Sequence, residues 1–194
     1  MNLRIEQEGR LRRIVLAAPE QRNLLDAVMC QDLLSELRDA AADEAVGAIL
    51  LEADGPAFCT GIDIEAGEDL FTIGRRIAKP LVAAVQGFAV SGGVALLANA
   101  HVVLAAQGSS FGLTDIREGS WNEPIYRAVA GAIGERRTLE LCLTGRIFST
   151  ADAAAWGLVH MVAPAFELND RAFEVANALA NADPKAVRSA LRHS

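Results

Sequence analysis

Short apolar segments bounded by Gly, Pro and Asp recur along the chain, and they predict strands that alternate with helices. The predicted strands are Leu3–Gln7, Leu11–Leu16, Gly47–Leu51, Pro80–Gln86, His101–Ala106 and Leu158–Val162. The first two are expected to form a hairpin, because Glu8-Gly9-Arg10 offers a glycine for the turn.

Apolar residues at helical spacing separate these strands. The first helix is expected from Asp26, which can cap it, to about Ala42, with Val28, Leu33 and Leu37 on its apolar face. Further helices are expected at 92–100, on both sides of Gly134-Glu135, from Thr150 to Trp156, at 166–182 and at 184–192. Alternating strands and helices predict an α/β fold with several parallel strand pairs.

Composition narrows the class of protein. The 194 residues suit a single domain, 1–194, with a core at about 1–165 and short C-terminal helices at about 166–192. The net charge of −7 disfavours a general nucleic-acid partner, because the surface repels phosphate. Three cysteines without CxxC spacing and an N-terminus without an apolar run favour a cytoplasmic protein.

The region from Pro80 to Thr114 contains no Asp, Glu, Lys or Arg, and residues 88–106 are apolar enough to resemble a membrane span. Small and polar residues interrupt that window, including Ser91, Asn99 and His101. We therefore expect a buried strand, turn, helix and strand, and no membrane partner.

Two glycine-containing junctions between a strand and a helix are candidate sites of chemistry. One contains Gly61 and Ile62, and the other contains Ser91, Gly92 and Gly93. Small residues allow a ligand carbonyl to approach the main chain, and a helix that begins at Gly92 would add partial positive charge. If the N–H groups of Ile62 and Gly92 converge, they form an oxyanion hole. Tight turns packed around glycine are the alternative interpretation of each segment alone.

Five segments in order resemble the crotonase superfamily, also called the enoyl-CoA hydratase/isomerase family. They are Gln21-Arg22-Asn23-Leu24-Leu25, Phe58-Cys59-Thr60-Gly61-Ile62-Asp63-Ile64, Ala83–Ala89 with Ser91-Gly92-Gly93, Phe111–Ile116, and Leu143–Arg146 with Trp156–Val159. The resemblance implies a spiral of repeated ββα units and an acyl-CoA thioester as substrate, with coenzyme A as part of it and no separate cofactor. It also implies a homo-oligomer, a trimer or hexamer.

The resemblance also assigns residues. Ile62 and Gly92 would hold the thioester carbonyl through their N–H groups. The residues implied for binding coenzyme A or the acyl group are Arg22, Asn23, Leu24, Gly61, Asp63 and Gly93. No cluster of His, Cys and acidic residues has the spacing of metal ligands, so no metal is expected.

The acids depart from the pattern of the family's hydratases. One of their two carboxylate positions is Ala95 here, and the other is Asp115. Glu123 occupies a position where some relatives carry a functional acid, so Asp115 and Glu123 are the candidate catalytic pair. Double-bond isomerisation or hydration of an enoyl-CoA is the expected reaction.

Three alternatives stay open. They are hydrolysis of a thioester or C–C bond, binding of acyl-CoA without catalysis, and a serine hydrolase in which Ser91 acts with Asp115 or Asp152 and His160.

Overall fold

The computed structural model describes residues 2–62 and 69–192 and shows two sheets with seven α-helices. The strands are β1 Leu3–Glu8, β2 Leu11–Leu16, β3 Ala48–Ala53, β4 Leu81–Val85, β5 Phe88–Val90, β6 Val102–Ala106, β7 Ser110–Gly112, β8 Ile147–Ser149 and β9 Met161–Ala163. The helices are α1 Ala27–Ala42, α2 Gly92–Ala98, α3 Glu123–Ile133, α4 Glu135–Thr144, α5 Thr150–Ala155, α6 Leu168–Ala180 and α7 Pro184–Leu191. The predicted α/β class is confirmed.

The larger sheet has the order β1-β2-β3-β4-β6-β9. The β1–β2 pair is an antiparallel hairpin, and its turn uses Gly9 at φ 58°. The other pairs are parallel, and the central strands β3 and β4 are almost entirely buried. Burial on both faces explains why these strands are continuous apolar runs.

A smaller sheet, β5-β7-β8, lies beside the larger one and was not predicted from the sequence. Twice, a strand of the larger sheet is followed by a strand of the smaller sheet and then by a helix, as β4-β5-α2 and as β6-β7-α3. This repetition agrees with the expected ββα units. The core separates into two clusters, and α6 covers the face of the larger sheet that carries Leu50, Val82 and Leu104.

Several predicted boundaries were wrong. Val28 is 58% exposed, and Met29 and Cys30 of α1 face the core instead. The cap of α5 is Ser149 rather than Thr150, since Ser149 and Asp152 form a reciprocal capping box. The last strand begins at Met161 rather than Leu158.

Within the described ranges, no helix is long and apolar enough to cross a membrane.

Candidate active site

The first predicted junction, residues 58–62, lies alongside β5. The Phe58 N–H donates to Phe88 O at 3.0 Å, and the Val90 N–H donates to Cys59 O at 2.9 Å. A parallel bridge pairs Cys59 with Ala89. The two glycine-containing motifs are therefore held together by main-chain hydrogen bonds, although about thirty residues separate them in the sequence.

The loop at residues 22–25 packs against the other side of the same junction. The Leu25 N–H donates to Gly61 O at 3.1 Å, and the Thr60 N–H donates to Arg22 O at 3.2 Å. Leu24 also lies against Gly61, because a Cβ built on Gly61 would be 3.5 Å from Leu24 Cδ1. Three segments thus converge at Gly61.

The side chain of Asn23 holds the loop at residues 22–25 to neighbouring main-chain groups. Its side chain is fully buried, and its amide donates to Asp54 O at 3.0 Å and to Ala57 O at 2.9 Å. Its Oδ1 accepts the Ala18 N–H at 2.9 Å. The amide is occupied by three backbone groups, so it shapes the loop, and the binding of coenzyme A or the acyl group at Asn23 stays a prediction.

Ile62 and Gly92 are direct neighbours. A Cβ built on Gly92 would lie 3.1 Å from Ile62 Cβ and 3.4 Å from Gly61 O. Neither the Ile62 N–H nor the Gly92 N–H donates a hydrogen bond to any residue that the structure describes. Gly92 is the first residue of α2, where main-chain N–H groups have no partner within the helix. Two adjacent, unused donors are what an oxyanion hole requires.

Gly93 follows in the same helix and serves close packing. A Cβ there would lie 2.5 Å from Cys59 O, so only glycine lets α2 approach the first junction this closely. Asp63 was predicted to bind the ligand, and it lies outside the described residues.

Asp115 is connected to this pair of donors through Ser91. It begins a short 3₁₀ helix, Asp115–Glu118, and its carboxylate Oδ2 accepts a hydrogen bond from Ser91 Oγ at 2.6 Å. Since Ser91 directly precedes Gly92, the carboxylate lies beside the start of α2. Ala95 is fully buried and carries no acid. Sequence reasoning placed Ser91 in the second glycine-containing junction and considered its hydroxyl as a nucleophile, and it missed this contact.

Glu123 is at the exposed beginning of α3. One carboxylate oxygen accepts the Trp121 Nε1–H at 3.0 Å, and the other accepts Arg127 Nε–H at 2.9 Å. These contacts, with Trp121 the larger cause, lower the pKa of Glu123 below its ordinary value. No hydrogen bond joins it to Asp115 within the described ranges. The geometry is that of an ionised group at a helix N-terminus.

A cleft of about 470 Å³ opens beside the two junctions. It is lined by Arg22, Pro56, Ala57, Thr60, Phe88 and Val90. Phe88 is 53% exposed, whereas its strand neighbour Ala89 is buried. Phe88 and Thr60 were missed as lining residues, although the alternation of faces along a strand could have indicated Phe88.

The thiols near the site are protonated. Burial raises the pKa of Cys59 to about 12, and its Sγ lies 3.4 Å from Gly61 O. Burial, with a smaller contribution from the Asp115 charge, raises the pKa of Cys142 to about 11. A protonated thiol is a weak nucleophile, so these shifts disfavour covalent chemistry at either cysteine.

His160 is not part of a triad with Ser91. Its Nδ1 accepts the Val103 N–H at 3.0 Å, beside the larger sheet. Among the residues described, no hydrogen bond connects His160 to Ser91 or Asp115, and Asp152 is used by the cap of α5. The serine-hydrolase arrangement considered from the sequence is not formed.

Comparison with known proteins decides the family. The profile of the family described as enoyl-CoA hydratase/isomerase matches residues 6–194. The chain belongs to the enoyl-CoA hydratase/isomerase family.

Relatives within this family differ in their named reactions. The chain is 32% identical to a probable enoyl-CoA hydratase of Rhizobium meliloti, over 92% of this chain and 75% of that protein. It is 26% identical to a hydroxycinnamoyl-CoA hydratase-lyase of Pseudomonas fluorescens, over 97% and 76%.

The fold also matches solved structures of the family. The crystal structure of human enoyl Coenzyme A hydratase domain-containing protein 3 aligns with a TM-score of 0.91 and 26% identity, covering 98% of this chain and 82% of that one. The predicted crotonase-like fold is thereby confirmed.

Proposed function

We propose that this member of the enoyl-CoA hydratase/isomerase family moves the double bond of an enoyl-CoA thioester from the 3 position to the 2 position. Asp115 is the proposed proton carrier, and the N–H groups of Ile62 and Gly92 are the proposed oxyanion hole. The observation that carries this proposal is the Asp115 carboxylate, which lies beside main-chain donors that no described residue uses, together with Ala95 where the hydratases of the family carry a second acid.

One carboxylate is enough for isomerisation, because the same group can remove the proton and return it. Asp115 removes a proton from C2 of the 3-enoyl thioester, and the electrons move onto the thioester oxygen. The Ile62 and Gly92 N–H groups stabilise that enolate oxygen by hydrogen bonding. The Asp115 carboxylic acid then returns the proton to C4, the electrons form the C2–C3 double bond, and the carboxylate is regenerated.

Hydration needs more groups than Asp115 alone provides. A water molecule must be deprotonated as it attacks C3, and a proton must reach C2. Two acids on opposite sides of the water can divide these tasks, whereas Ala95 can do neither. Assistance by Glu123 stays a prediction, and its two oxygens are already engaged.

The binding proposal follows the cleft. Arg22 supplies a positive charge, Phe88 supplies an exposed aromatic face, and Thr60 supplies a hydroxyl for the coenzyme A portion. Leu24 and Gly61, which lie against each other, are proposed to contribute to binding, and Asp63 is proposed to contribute from the segment that follows. A homo-oligomer and a cytoplasmic location remain predictions, and light scattering of the purified chain measures the first.

The test uses a 3-enoyl-CoA carrying deuterium at C2. We expect conversion to 2-enoyl-CoA, with deuterium appearing at C4 of the product. The conversion is measured by the ultraviolet absorbance of the conjugated thioester. Asp115→Asn should lower kcat by about 10²–10⁴. Glu118→Gln is the matched control, because Glu118 is an exposed carboxylate of the same 3₁₀ turn.

Other outcomes favour other members of the family's chemistry. If the protein forms 3-hydroxyacyl-CoA from 2-enoyl-CoA faster than it isomerises 3-enoyl-CoA, hydration is its reaction and the proposal of isomerisation is wrong. Release of free coenzyme A thiol would indicate hydrolysis. Tight binding of the thioester with no turnover in any assay would indicate a non-catalytic acyl-CoA binder.

A further inference from the structure

We propose that Ser91 is a positioning residue that holds the Asp115 carboxylate in one orientation, so that Oδ1 is the oxygen presented to the substrate. This inference rests on the proposed function of Asp115 as proton carrier. It assigns to Ser91 a role other than that of a nucleophile.

The backbone of Ser91 is held in an unfavourable conformation. Ser91 lies between β5 and α2 with φ 47° and ψ −106°, a region that residues other than glycine rarely adopt. Its N–H donates to Gly112 O at 2.8 Å, and its carbonyl accepts the Ala95 N–H at 3.1 Å. Glycine would adopt this conformation at lower cost, so the serine side chain needs a reason to be there.

The hydroxyl does not perform its usual task at this position. A serine preceding a helix ordinarily accepts a hydrogen bond from the second or third N–H of that helix. Ser91 makes no such side-chain cap on α2 and instead donates to Asp115 Oδ2 at 2.6 Å. The residue is 5% exposed, so water does not compete for the hydroxyl.

The result is an asymmetric carboxylate. Oδ2 is occupied by Ser91, whereas Oδ1 has no hydrogen-bond partner within residues 2–62 and 69–192. The neighbouring thiol of Cys142 is protonated and offers no charge to turn the group. One oxygen is fixed on the protein side, and the other is available for a proton from C2.

The experiment compares Ser91→Ala, which removes the hydroxyl, with Ser91→Gly, which removes the hydroxyl and also lowers the cost of the positive φ at this position. Both should lower kcat by about ten- to a hundredfold while KM changes less than about twofold, because the carboxylate is misplaced rather than the substrate. The matched control is Ser120→Ala, since Ser120 Oγ donates to the backbone carbonyl of Asp115 at 3.2 Å and not to its carboxylate.

A second readout follows the label. In the wild type, one fixed carboxyl carries deuterium from C2 to C4. In both variants the carboxyl turns more freely and exchanges with water, so the fraction of deuterium delivered to C4 should fall. Wild-type kcat and wild-type transfer in Ser91→Gly would overturn the positioning role, and so would an acyl group found on Ser91 by mass spectrometry.

Failure of the proposed reaction is measured separately. Exchange of the C2 proton of a saturated acyl-CoA in D₂O requires the donors and Asp115 but no double bond. If that exchange depends on Asp115 and slows in both Ser91 variants while 3-enoyl-CoA is not isomerised, the proposed function fails and the positioning role stands. If the rate of exchange or isomerisation depends on Asp115 but is unchanged in both Ser91 variants, the positioning role fails.

Discussion

Substitution of Gly92 by alanine tests the proposed oxyanion hole, because the added methyl group should displace the Gly92 N–H without removing it. The added Cβ would lie 3.1 Å from Ile62 Cβ and 3.1 Å from Leu25 Cδ1. Favourable carbon–carbon contacts are about 3.5–4.0 Å, so Ile62 or the start of α2 must move by about 0.4–0.9 Å. The Gly92 N–H is then displaced relative to the Ile62 N–H.

The magnitude can be bracketed. Complete loss of one oxyanion donor costs about 10²–10³ in kcat, and misplacement by about 1 Å costs about 10². We therefore expect Gly92→Ala to lower kcat/KM for 3-enoyl-CoA by about ten- to a hundredfold. Stability should change by less than about 1 kcal/mol, because alanine favours a helix and offsets the tighter packing.

The assay pairs steady-state kinetics with urea unfolding, and Gly131→Ala is the matched control. Gly131 lies in α3, where a Cβ would meet the guanidinium end of Arg75, a flexible side chain that can move. The control should retain wild-type kinetics. Wild-type kcat/KM in a folded Gly92→Ala protein would refute the assignment of this N–H to the thioester carbonyl.

Three further predictions concern reactivity and stability. At pH 8, Cys59 and Cys142 should resist alkylation until urea unfolds the chain, since with a pKa of about 11 only about one Cys142 thiol in 10³ is ionised; rapid labelling of the native protein would contradict this. Burial lowers the pKa of His101, so the unfolded chain binds more protons than the folded chain at acidic pH. The free energy of unfolding should therefore fall as the pH drops below about 6.5. Unfolding curves at pH 5 and pH 7 should show a smaller fall for His101→Gln. Arg13→Met should cost about 3 kcal/mol, because it leaves the buried Glu52 carboxylate unpaired, and adding Glu52→Gln should restore most of that loss.

The central strands of the larger sheet were predictable from the sequence because they are buried on both faces. Continuous apolar runs at β3, β4 and β6 are a strong local signal, and their parallel pairing follows from the intervening helices. The smaller sheet gave no such signal. The strands β5, β7 and β8 have three residues each, and their pairing depends on contacts between distant segments.

The sequence-predicted donors illustrate what a motif can and cannot indicate. Glycine at a junction predicts a main chain that a ligand can approach, and the structure places Ile62 next to Gly92, whereas the convergence of their N–H groups stays a prediction. The resemblance assigned Asn23 to ligand binding and did not indicate that its side chain is buried. Its burial follows from three backbone partners that only the folded loop supplies.

The contact between Ser91 and Asp115 shows why the acid of this site could be named but not its orientation. The two residues are 24 positions apart, and β5 and β7 must pair before Ser91 N–H can reach Gly112 O and direct the hydroxyl toward the carboxylate. No local propensity encodes a positive φ at a serine, since that conformation persists only where the surrounding structure imposes it. The strained backbone of Ser91 and the orientation of the Asp115 carboxylate therefore both depend on the pairing of the smaller sheet.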